Sequence, residues 1–218
     1  GANIVGVCTR ERSNFNADFV NLQKVCKRNN LIYRYETDIN SDENIKWIKN
    51  LNPDIIFCFG WSSLIKKELL SIPPMGVLGY HPTKLPKNRG RHPLIWTLVM
   101  GITKSASTFF FMNEGADECN ILSQKEFSID YLDDAKTLYK KVTKIALSQI
   151  NDFYPLILKN NFTLIKQDNS DSNIWRKRSK NDGKIDFRMS SFAIYNLVRA
   201  LTSPYSGAHL VYNGNEVK

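Results

Sequence analysis

The sequence predicts an α/β fold with a mostly parallel sheet flanked by helices. Short apolar segments with strand character alternate with amphipathic helical segments along its first half. The run 54–59 is almost continuously apolar, which is typical of a central parallel strand covered on both faces. At 218 residues the chain is long enough to bury a sizeable core without disulfide staples.

The first five elements alternate strictly. In chain order they are a strand over 3–8, a helix over 15–29, a strand over 31–35, a helix over 42–51 and a strand over 54–59. In the first helix Leu22, Val25 and Cys26 fall on one face. In the second, Ile45 and Ile48 are expected to pack inward. This alternation favours βαβ units.

The middle of the chain continues with further strands and helices. They are a short helix over 65–71, a strand over 76–80, a helix over 93–100, strands over 107–112 and 121–128, and a long helix over 133–158. Three consecutive phenylalanines, Phe109 to Phe111, indicate that their strand is central or covered. Asp133 and Asp134 suit the positive N-terminal end of the long helix.

The composition changes after the long helix. The segment 160–171 is polar with a strand-like stretch at 162–165, the segment 174–186 is basic, and a helix is predicted over 190–201. We therefore predict an α/β domain over 1–160 and a C-terminal extension over 161–218.

Charge and cysteine usage narrow the function classes. The formal net charge of +9 favours acidic partners such as nucleotides, phosphorylated sugars, folates or nucleic acid, although a generally basic surface explains it equally well. The four cysteines are scattered without metal-ligand or disulfide spacing, which predicts no metal site and a reducing, cytoplasmic location. No apolar run approaches the roughly 20 residues of a membrane helix, so no membrane partner is expected.

A loop over 79–93 carries two of the three histidines between glycines and prolines. His81 follows a predicted strand end, where open α/β sheets place their ligand crevices. Asp117 lies in a turn between two strands, so its carboxylate could face this imidazole and tune its proton transfer. The alternatives are a structural histidine and an aspartate that only caps its turn. No nucleophile elbow, P-loop or dinucleotide fingerprint is present.

The residues of this region resemble a known family. The matching positions are His81, Thr83, Leu85-Pro86, Arg89-Gly90, Pro93 and Asp117. Together they are similar to the signature of the 10-formyltetrahydrofolate-dependent formyltransferases, and the resemblance covers nearly the whole chain. It implies a Rossmann-like fold, with the catalytic domain over 1–160 and the start of the family's smaller C-terminal subdomain over 161–218. Among the branches of this family, the sequence of residues 89–93 and 107–111 looks most like that of the sugar N-formyltransferases.

The resemblance implies transfer of a formyl group from N10-formyltetrahydrofolate to a primary amine, expected to be that of a nucleotide-linked amino sugar. His81 would stabilise the developing oxyanion and Asp117 would organise proton removal from the amine. The residues that would bind the donor are Trp61, Ser62, Ser63, Ile65 and Gly115, unless the turn 61–65 is an ordinary strand-to-helix loop. Lys84 and Arg89 would meet an anionic substrate, unless they only form a solvated loop face. Nucleic acid is expected only as tRNA, and a homodimer is compatible with the family.

Three departures from the family pattern stand out. Gly79 replaces the asparagine two positions before His81, which removes a donor to the formyl oxygen; Asn88 and Asn113 are nearby amides that could substitute. Cys119 stands where a glycine is usual. The chain is also expected to lack the family's first strand and helix and to stop before the terminal subdomain is complete. The alternatives are therefore a methionyl-tRNA formyltransferase and a non-catalytic homologue that keeps the ligand crevice.

Overall fold

The computed structural model describes residues 1–13, 17–61, 63–114 and 117–218. The chain forms two compact units. The first comprises Gly1–Leu78 and Met112–Glu114, and the second Gly79–Phe111 and Gly115–Lys218. Each unit has its own cluster of buried apolar side chains, and each is described by itself.

The first unit alternates strands and helices, as the sequence predicts. Its elements are β1 (Val7–Thr9), α1 (Gln23–Arg28), β2 (Tyr33–Tyr35), α2 (Asp42–Leu51), β3 (Ile56–Cys58), α3 (Lys67–Leu70) and the first residues of β4 (Val77–His81). β1 and β2 pair in parallel with Val7 opposite Tyr33, and β3 lies beside β4. The core of this unit contains Ile39, Ile45, Ile48, Ile65, Leu69 and Val77.

Helix α2 is confirmed in both type and bounds, and its capping and burial explain why. The Ser41 hydroxyl accepts the backbone N–H of Asn44, which satisfies one of the free amides of the first turn. Ile45 and Ile48 are buried, as their spacing predicts. The helix ends at Asn52, whose positive φ of 47° stops the helical repeat.

Helix α1 is shorter than predicted. The predicted span was 15–29, of which 15 and 16 lie outside the described residues, and the helix begins only at Gln23. The Asn21 side chain accepts the backbone N–H of Gln23 at 2.8 Å and forms a local turn there instead of a preceding helical turn. Of the predicted apolar face, Cys26 is buried, whereas Leu22 and Val25 are 38% and 44% exposed.

The second unit holds the remaining elements. They are the end of β4, β5 (Arg89–Gly90), α4 (Pro93–Val99), β6 (Lys104–Phe111), β7 (Ile121–Ser128), α5 (Ala135–Leu158), β8 (Ile174–Trp175), α6 (Ser191–Ala200), β9 (Leu210–Tyr212) and β10 (Asn215–Val217). The strand order within this unit's main sheet is β4-β6-β7, and β6 and β7 are antiparallel. β5 pairs with β8 in parallel.

The long helix α5 begins with a capping box. Asp134 accepts the backbone N–H of Thr137, and the Thr137 hydroxyl accepts that of Asp134. One face of α5 is buried through Leu138, Val142 and Phe153. The Phe153 ring lies 4.9 Å from that of Phe109, which is itself 1% exposed, so the covered position predicted for the phenylalanine strand is confirmed.

The C-terminal region differs from the prediction at two places. Among the described residues, the strand-like segment 162–165 forms an isolated bridge, Ile165 opposite Ile121, and no strand. The hairpin of β9 and β10 was not predicted, although Asn213 and Gly214, both with positive φ, are a strong signal for a two-residue hairpin turn. The α/β fold class is confirmed, whereas the domain boundary near residue 160 stays a prediction. No helix in the described part of the chain is long and apolar enough to cross a membrane.

Candidate active site

His81 is the last residue of β4 and is 5% exposed. Its Nε2 atom lies 2.8 Å from the backbone carbonyl oxygen of Asn88. Because a carbonyl oxygen only accepts hydrogen bonds, we assign a hydrogen to Nε2. Nδ1 is then the ring atom that remains to exchange a proton.

Asp117 faces that second nitrogen. Its Oδ2 atom lies 3.5 Å from Nδ1 of His81 and accepts the backbone N–H of Gly90 at 3.1 Å. The two side chains are 6% and 18% exposed, so the pair is shielded from bulk water. The structure thus brings the two predicted catalytic residues together, whereas their roles in catalysis stay a prediction.

Buried hydroxyl groups hold the loop after β4. The Thr83 hydroxyl lies within hydrogen-bond distance of the carbonyls of Lys87, at 3.1 Å, and Asn88, at 3.2 Å. The Thr108 hydroxyl donates to the carbonyl of Thr83 at 2.6 Å. Both threonines are fully buried, so these bonds are protected from competition by water. The Asn88 carbonyl that faces His81 is therefore anchored by side chains as well as by the prolines of the loop.

Gly90 and Asn88 both have positive φ and close contacts that constrain the loop after β4. Gly90 has φ +98°, and a Cβ there would lie 2.3 Å from the carbonyl oxygen of Trp175, so this position requires glycine. Asn88 has φ +63°, and its side-chain oxygen accepts a hydrogen bond from Asn173 at 3.2 Å. Its side chain is thus engaged by Asn173, while its main-chain carbonyl reaches His81. Asn113 belongs to the first unit.

The two predicted substrate-binding cations have different surroundings. Lys84 has a half-exposed side chain and forms an ion pair with Glu126, whose pKa is lowered by the hydrogen bond from Lys84. Arg89 is 2% exposed, and its guanidinium donates to Gln167 and Asn169, each at 2.7 Å. Lys84 is therefore accessible to a substrate, whereas Arg89 is engaged inside the unit. That either one contacts substrate stays a prediction.

The predicted donor-binding turn lies in the first unit. The guanidinium of Arg10 lies 5.0 Å from the centre of the Trp61 ring, and its Nη2 donates to the Ser63 hydroxyl at 3.4 Å. Ile65 is 5% exposed in the apolar cluster of this unit. Asn40 donates to the carbonyl of Leu64 and accepts the N–H of Lys66, which fixes the backbone that follows the turn. Ser62 and Gly115, also predicted donor contacts, lie outside the described residues.

One polar atom of this turn is without a partner. Trp61 Nε1 is buried and has no hydrogen-bond acceptor among the described residues. A buried N–H without an acceptor costs roughly 1–3 kcal/mol, so it is available to a ligand acceptor. The turn therefore fits a heteroaromatic ligand with hydrogen-bond acceptors.

Neither the thiol nor the phenol near the pair is suited to act as a base or nucleophile. Burial raises the pKa of the Cys119 thiol, which keeps it protonated at neutral pH. Burial likewise raises the pKa of Tyr80 to about 12, and its hydroxyl lies 3.0 Å from that of Ser107. Neither group therefore competes with His81 and Asp117, whose role in proton transfer stays a prediction.

Sequence reasoning missed Arg10 and Gln167. Arg10 lies in a polar segment after β1, and nothing in its spacing links it to Trp61. Gln167 lies in the polar segment after α5, yet it is 6% exposed and reaches the turn of Asp117. A single glutamine in a polar stretch carries no pattern, so only the tertiary structure identifies it.

Comparison with known families identifies the class of protein that this fold and site define. The family described as formyl transferase matches residues 2–151, and the formyl transferase C-terminal domain matches residues 177–218. The chain belongs to the formyl transferase family, and the resemblance predicted from the loop motif is confirmed.

Particular relatives refine the comparison. The bifunctional polymyxin resistance protein ArnA of Wigglesworthia glossinidia brevipalpis is 36% identical over 190 residues, which cover 87% of this chain and 29% of that protein. The chain thus spans less than a third of that relative's length. Methionyl-tRNA formyltransferase from Clostridium thermocellum matches with a TM-score of 0.71 at 24% identity, covering 97% of this chain and 89% of that one. The structure of WlaRD, a sugar 3N-formyl transferase in the presence of dTDP and 5-N-formyl-THF, matches with a TM-score of 0.72 at 24% identity, covering 90% and 68%.

Proposed function

We propose that this chain transfers a formyl group from N10-formyltetrahydrofolate to the primary amine of a nucleotide-linked amino sugar. The observation that carries the proposal is the shielded pair of His81 Nδ1 and Asp117 Oδ2 in a member of the formyl transferase family. Formation of a formamide requires a base for the amine proton and a donor for the oxygen that gains negative charge. This pair supplies both.

The tautomer of His81 assigns the roles. The Asn88 carbonyl retains the hydrogen on Nε2, so His81 acts through Nδ1. A proton on Nδ1 would stabilise the charged oxygen, and Asp117 would accept the proton of the attacking amine. The backbone N–H of Gly90, bound to Asp117 Oδ2, keeps the carboxylate oriented toward the imidazole. No covalent bond to the protein is required: the amine nitrogen forms its bond to the formyl carbon, the bond between that carbon and N10 of the donor breaks, and the proton accepted by Asp117 would pass to N10 as tetrahydrofolate leaves.

The donor-binding role falls to the turn of the first unit. Trp61, Ser63 and Ile65, with Ser62 and Gly115, would bind the pterin ring of the donor. The Nε1 atom of Trp61, for which the described part of the chain offers no acceptor, supports this assignment, because a pterin ring presents acceptor atoms. When bound, the donor supplies an activated formyl group.

The acceptor is the less constrained partner. A net charge of +9 supports an anionic acceptor, and the half-exposed ammonium of Lys84 is suited to contact a phosphate. Arg89 is a weaker candidate for that contact because its guanidinium is buried and hydrogen-bonded. We propose that the enzyme acts in the cytoplasm, where both the folate and the sugar nucleotide are available.

A direct assay tests the proposal. The protein is incubated with N10-formyltetrahydrofolate and a panel of nucleotide-linked amino sugars, and the products are searched for a mass gain of one formyl group. A formylated sugar nucleotide that His81→Ala does not produce is the expected result. Methionyl-tRNA is included as a second acceptor, because the charge of +9 also suits a polyanion. Formylation of the tRNA alone, with steep salt dependence, would replace the sugar in the proposal.

Gly79→Asn separates an enzyme from a non-catalytic homologue. Gly79 lies in β4, two residues before His81, where the family pattern has a donor side chain. One such donor typically contributes about 10²–10³ in rate. A working wild type whose rate changes little in this variant already has a substitute donor. An inactive wild type that gains activity in the variant is a binding homologue.

A further inference from the structure

The side-chain amide of Gln167 links the turn that carries Asp117 to Arg89. Its Nε2 donates to the backbone carbonyls of Asp117 at 2.8 Å and of Cys119 at 2.6 Å. Its Oε1 accepts from the guanidinium of Arg89 at 2.7 Å. The side chain is 6% exposed, so water does not compete strongly for these bonds.

The backbone of Asp117 needs such support. Its φ of +58° places it in the left-handed region, which costs a non-glycine residue roughly 1–2 kcal/mol. The backbone fixes the direction of the Cα–Cβ bond of Asp117, and χ1 then selects among staggered rotamers. Gln167 donates to the carbonyl of Asp117 and to a second one two residues later, so it holds the backbone from which the Asp117 carboxylate reaches the Gly90 N–H.

A closed ring of hydrogen bonds joins Gln167, Asp117, Gly90 and Arg89. The side chain of Arg89 holds Gln167, which holds the main chain of Asp117. The main chain of the next residue, Gly90, donates to the Asp117 carboxylate. Two consecutive residues of one strand thus fix both the backbone and the side chain of Asp117. Asn169 accepts a further hydrogen bond from Arg89 at 2.7 Å and keeps the guanidinium in place.

We propose that Gln167 is a positioning residue that holds the Asp117 carboxylate against His81 Nδ1 during formyl transfer, with Arg89 as its anchor. The inference rests on the proposed function for its kinetic part. Its structural part, the fixed position of the Asp117 carboxylate, is independent of the reaction. Arg89 then serves the site from the interior, without contact to substrate.

The test compares two buried glutamines of the same unit. Gln149 is fully buried and donates to the Ser107 carbonyl at 3.1 Å and to the Ser123 hydroxyl at 2.8 Å, away from the Asp117 turn. Gln167→Met and Gln149→Met each remove the amide while keeping similar volume. In Gln167→Met we expect kcat to fall about tenfold to a hundredfold, because the Asp117 carboxylate is no longer held in its orientation toward His81. KM for the amine should change less than about twofold. In Gln149→Met we expect a lower melting temperature with kcat within about twofold of wild type.

A second readout does not depend on activity. Hydrogen exchange of the Gly90 amide, followed by NMR, reports its bond to the Asp117 carboxylate. We expect faster exchange in Gln167→Met and no change in Gln149→Met. Equal exchange in the two variants, or equal loss of kcat at matched folded fraction, would overturn the proposal.

A milder variant covers the case in which Gln167→Met does not fold. Asn169 is exposed, and Asn169→Ala removes only one acceptor of Arg89. We expect Gly90 exchange to rise in the same direction and by a smaller factor, and unchanged exchange would count against the ring. If the wild type forms no formylated product from any acceptor, the proposed function fails, whereas the exchange data still decide the positioning of Asp117.

Discussion

Two segments of the chain carry the predicted site residues, and they are held in different ways. The loop after β4 and the Asp117 turn, both in the second unit, are fixed by buried groups. Thr83 and Thr108 donate to main-chain carbonyls of the loop, and Gln167 donates to those of the turn, all from positions that are at most 6% exposed. The turn of Trp61 in the first unit is held by Arg10 and Asn40, which are only partly buried.

The difference follows from what each segment is proposed to do. The proposed proton transfer from the amine to Asp117, beside His81, requires atoms held within a fraction of an ångström, which buried hydrogen bonds provide. A turn that binds a ring adapts its side chains to the ligand and needs less internal support. We therefore expect changes in the first segment to lower kcat and changes in the second to raise the KM of the donor.

The largest effect is expected for His81→Ala. It removes the group proposed to stabilise the charged oxygen, and it leaves Asp117 without its imidazole partner. We expect kcat to fall by about 10²–10⁴. Steady-state formyl transfer measures this, and circular dichroism confirms that the variant is folded. Turnover near that of the wild type would contradict the proposed site.

Asp117→Asn is expected to rank next. Asparagine also adopts positive φ readily and can still accept the Gly90 N–H, so the turn should survive the change. The amide cannot accept the proton of the amine, and we expect kcat to fall about 10²-fold with donor affinity within about threefold. Donor binding is measured separately by fluorescence titration. A loss of affinity with normal turnover would assign Asp117 to donor binding instead.

Thr83→Val tests whether the buried hydroxyl bonds stiffen the loop. The valine leaves the carbonyls of Lys87 and Asn88 without this donor, which is expected to cost about 1–2 kcal/mol and to lower Tm by a few degrees. Because the Asn88 carbonyl also binds His81, kcat should fall severalfold. Thermal melting and kinetics are measured on the same preparation.

Thr97→Val is the matched control for this variant. Thr97 is 1% exposed, and its hydroxyl has no hydrogen-bond partner among the described residues. Removal of an unpaired buried hydroxyl is neutral or stabilising. We expect an unchanged or higher Tm and unchanged kcat. Equal destabilisation by the two valines would mean that the Thr83 bonds contribute little.

Features that depend on neighbouring residues were predicted better from the sequence than features that depend on distant ones. Patterns that depend on neighbouring residues, such as helix α2, the buried phenylalanines of β6 and the loop of His81, were predicted correctly in place. The meeting of His81 with Asp117 was inferred from strand ends, because a sheet brings strand ends together. The short pair of β5 and β8 was missed, since two-residue strands leave no periodic signal.

Long-range polar contacts were beyond the sequence. Gln167 is separated from Asp117 by 50 residues, and Arg10 from Ser63 by 53. Such contacts depend on how elements pack, and neither residue belongs to a periodic pattern. The interior position of Arg89 was missed for the same reason, because its acceptors Gln167 and Asn169 follow it by about 80 residues.

The smallest effect is expected for Arg10→Ala, which completes the comparison from the first unit. The change removes the cation over Trp61 and the weak bond to Ser63. A partly exposed cation–π contact is worth about 0.5–1 kcal/mol, so the KM of the donor should rise about two- to fivefold with kcat unchanged. Arg34, whose guanidinium lies 5.6 Å from the Trp47 ring of the same unit, provides the control, and Arg34→Ala should leave donor KM unchanged. If Arg10→Ala instead lowers kcat and leaves KM unchanged, the Trp61 turn takes part in the chemical step, and the division of roles between the two segments is wrong.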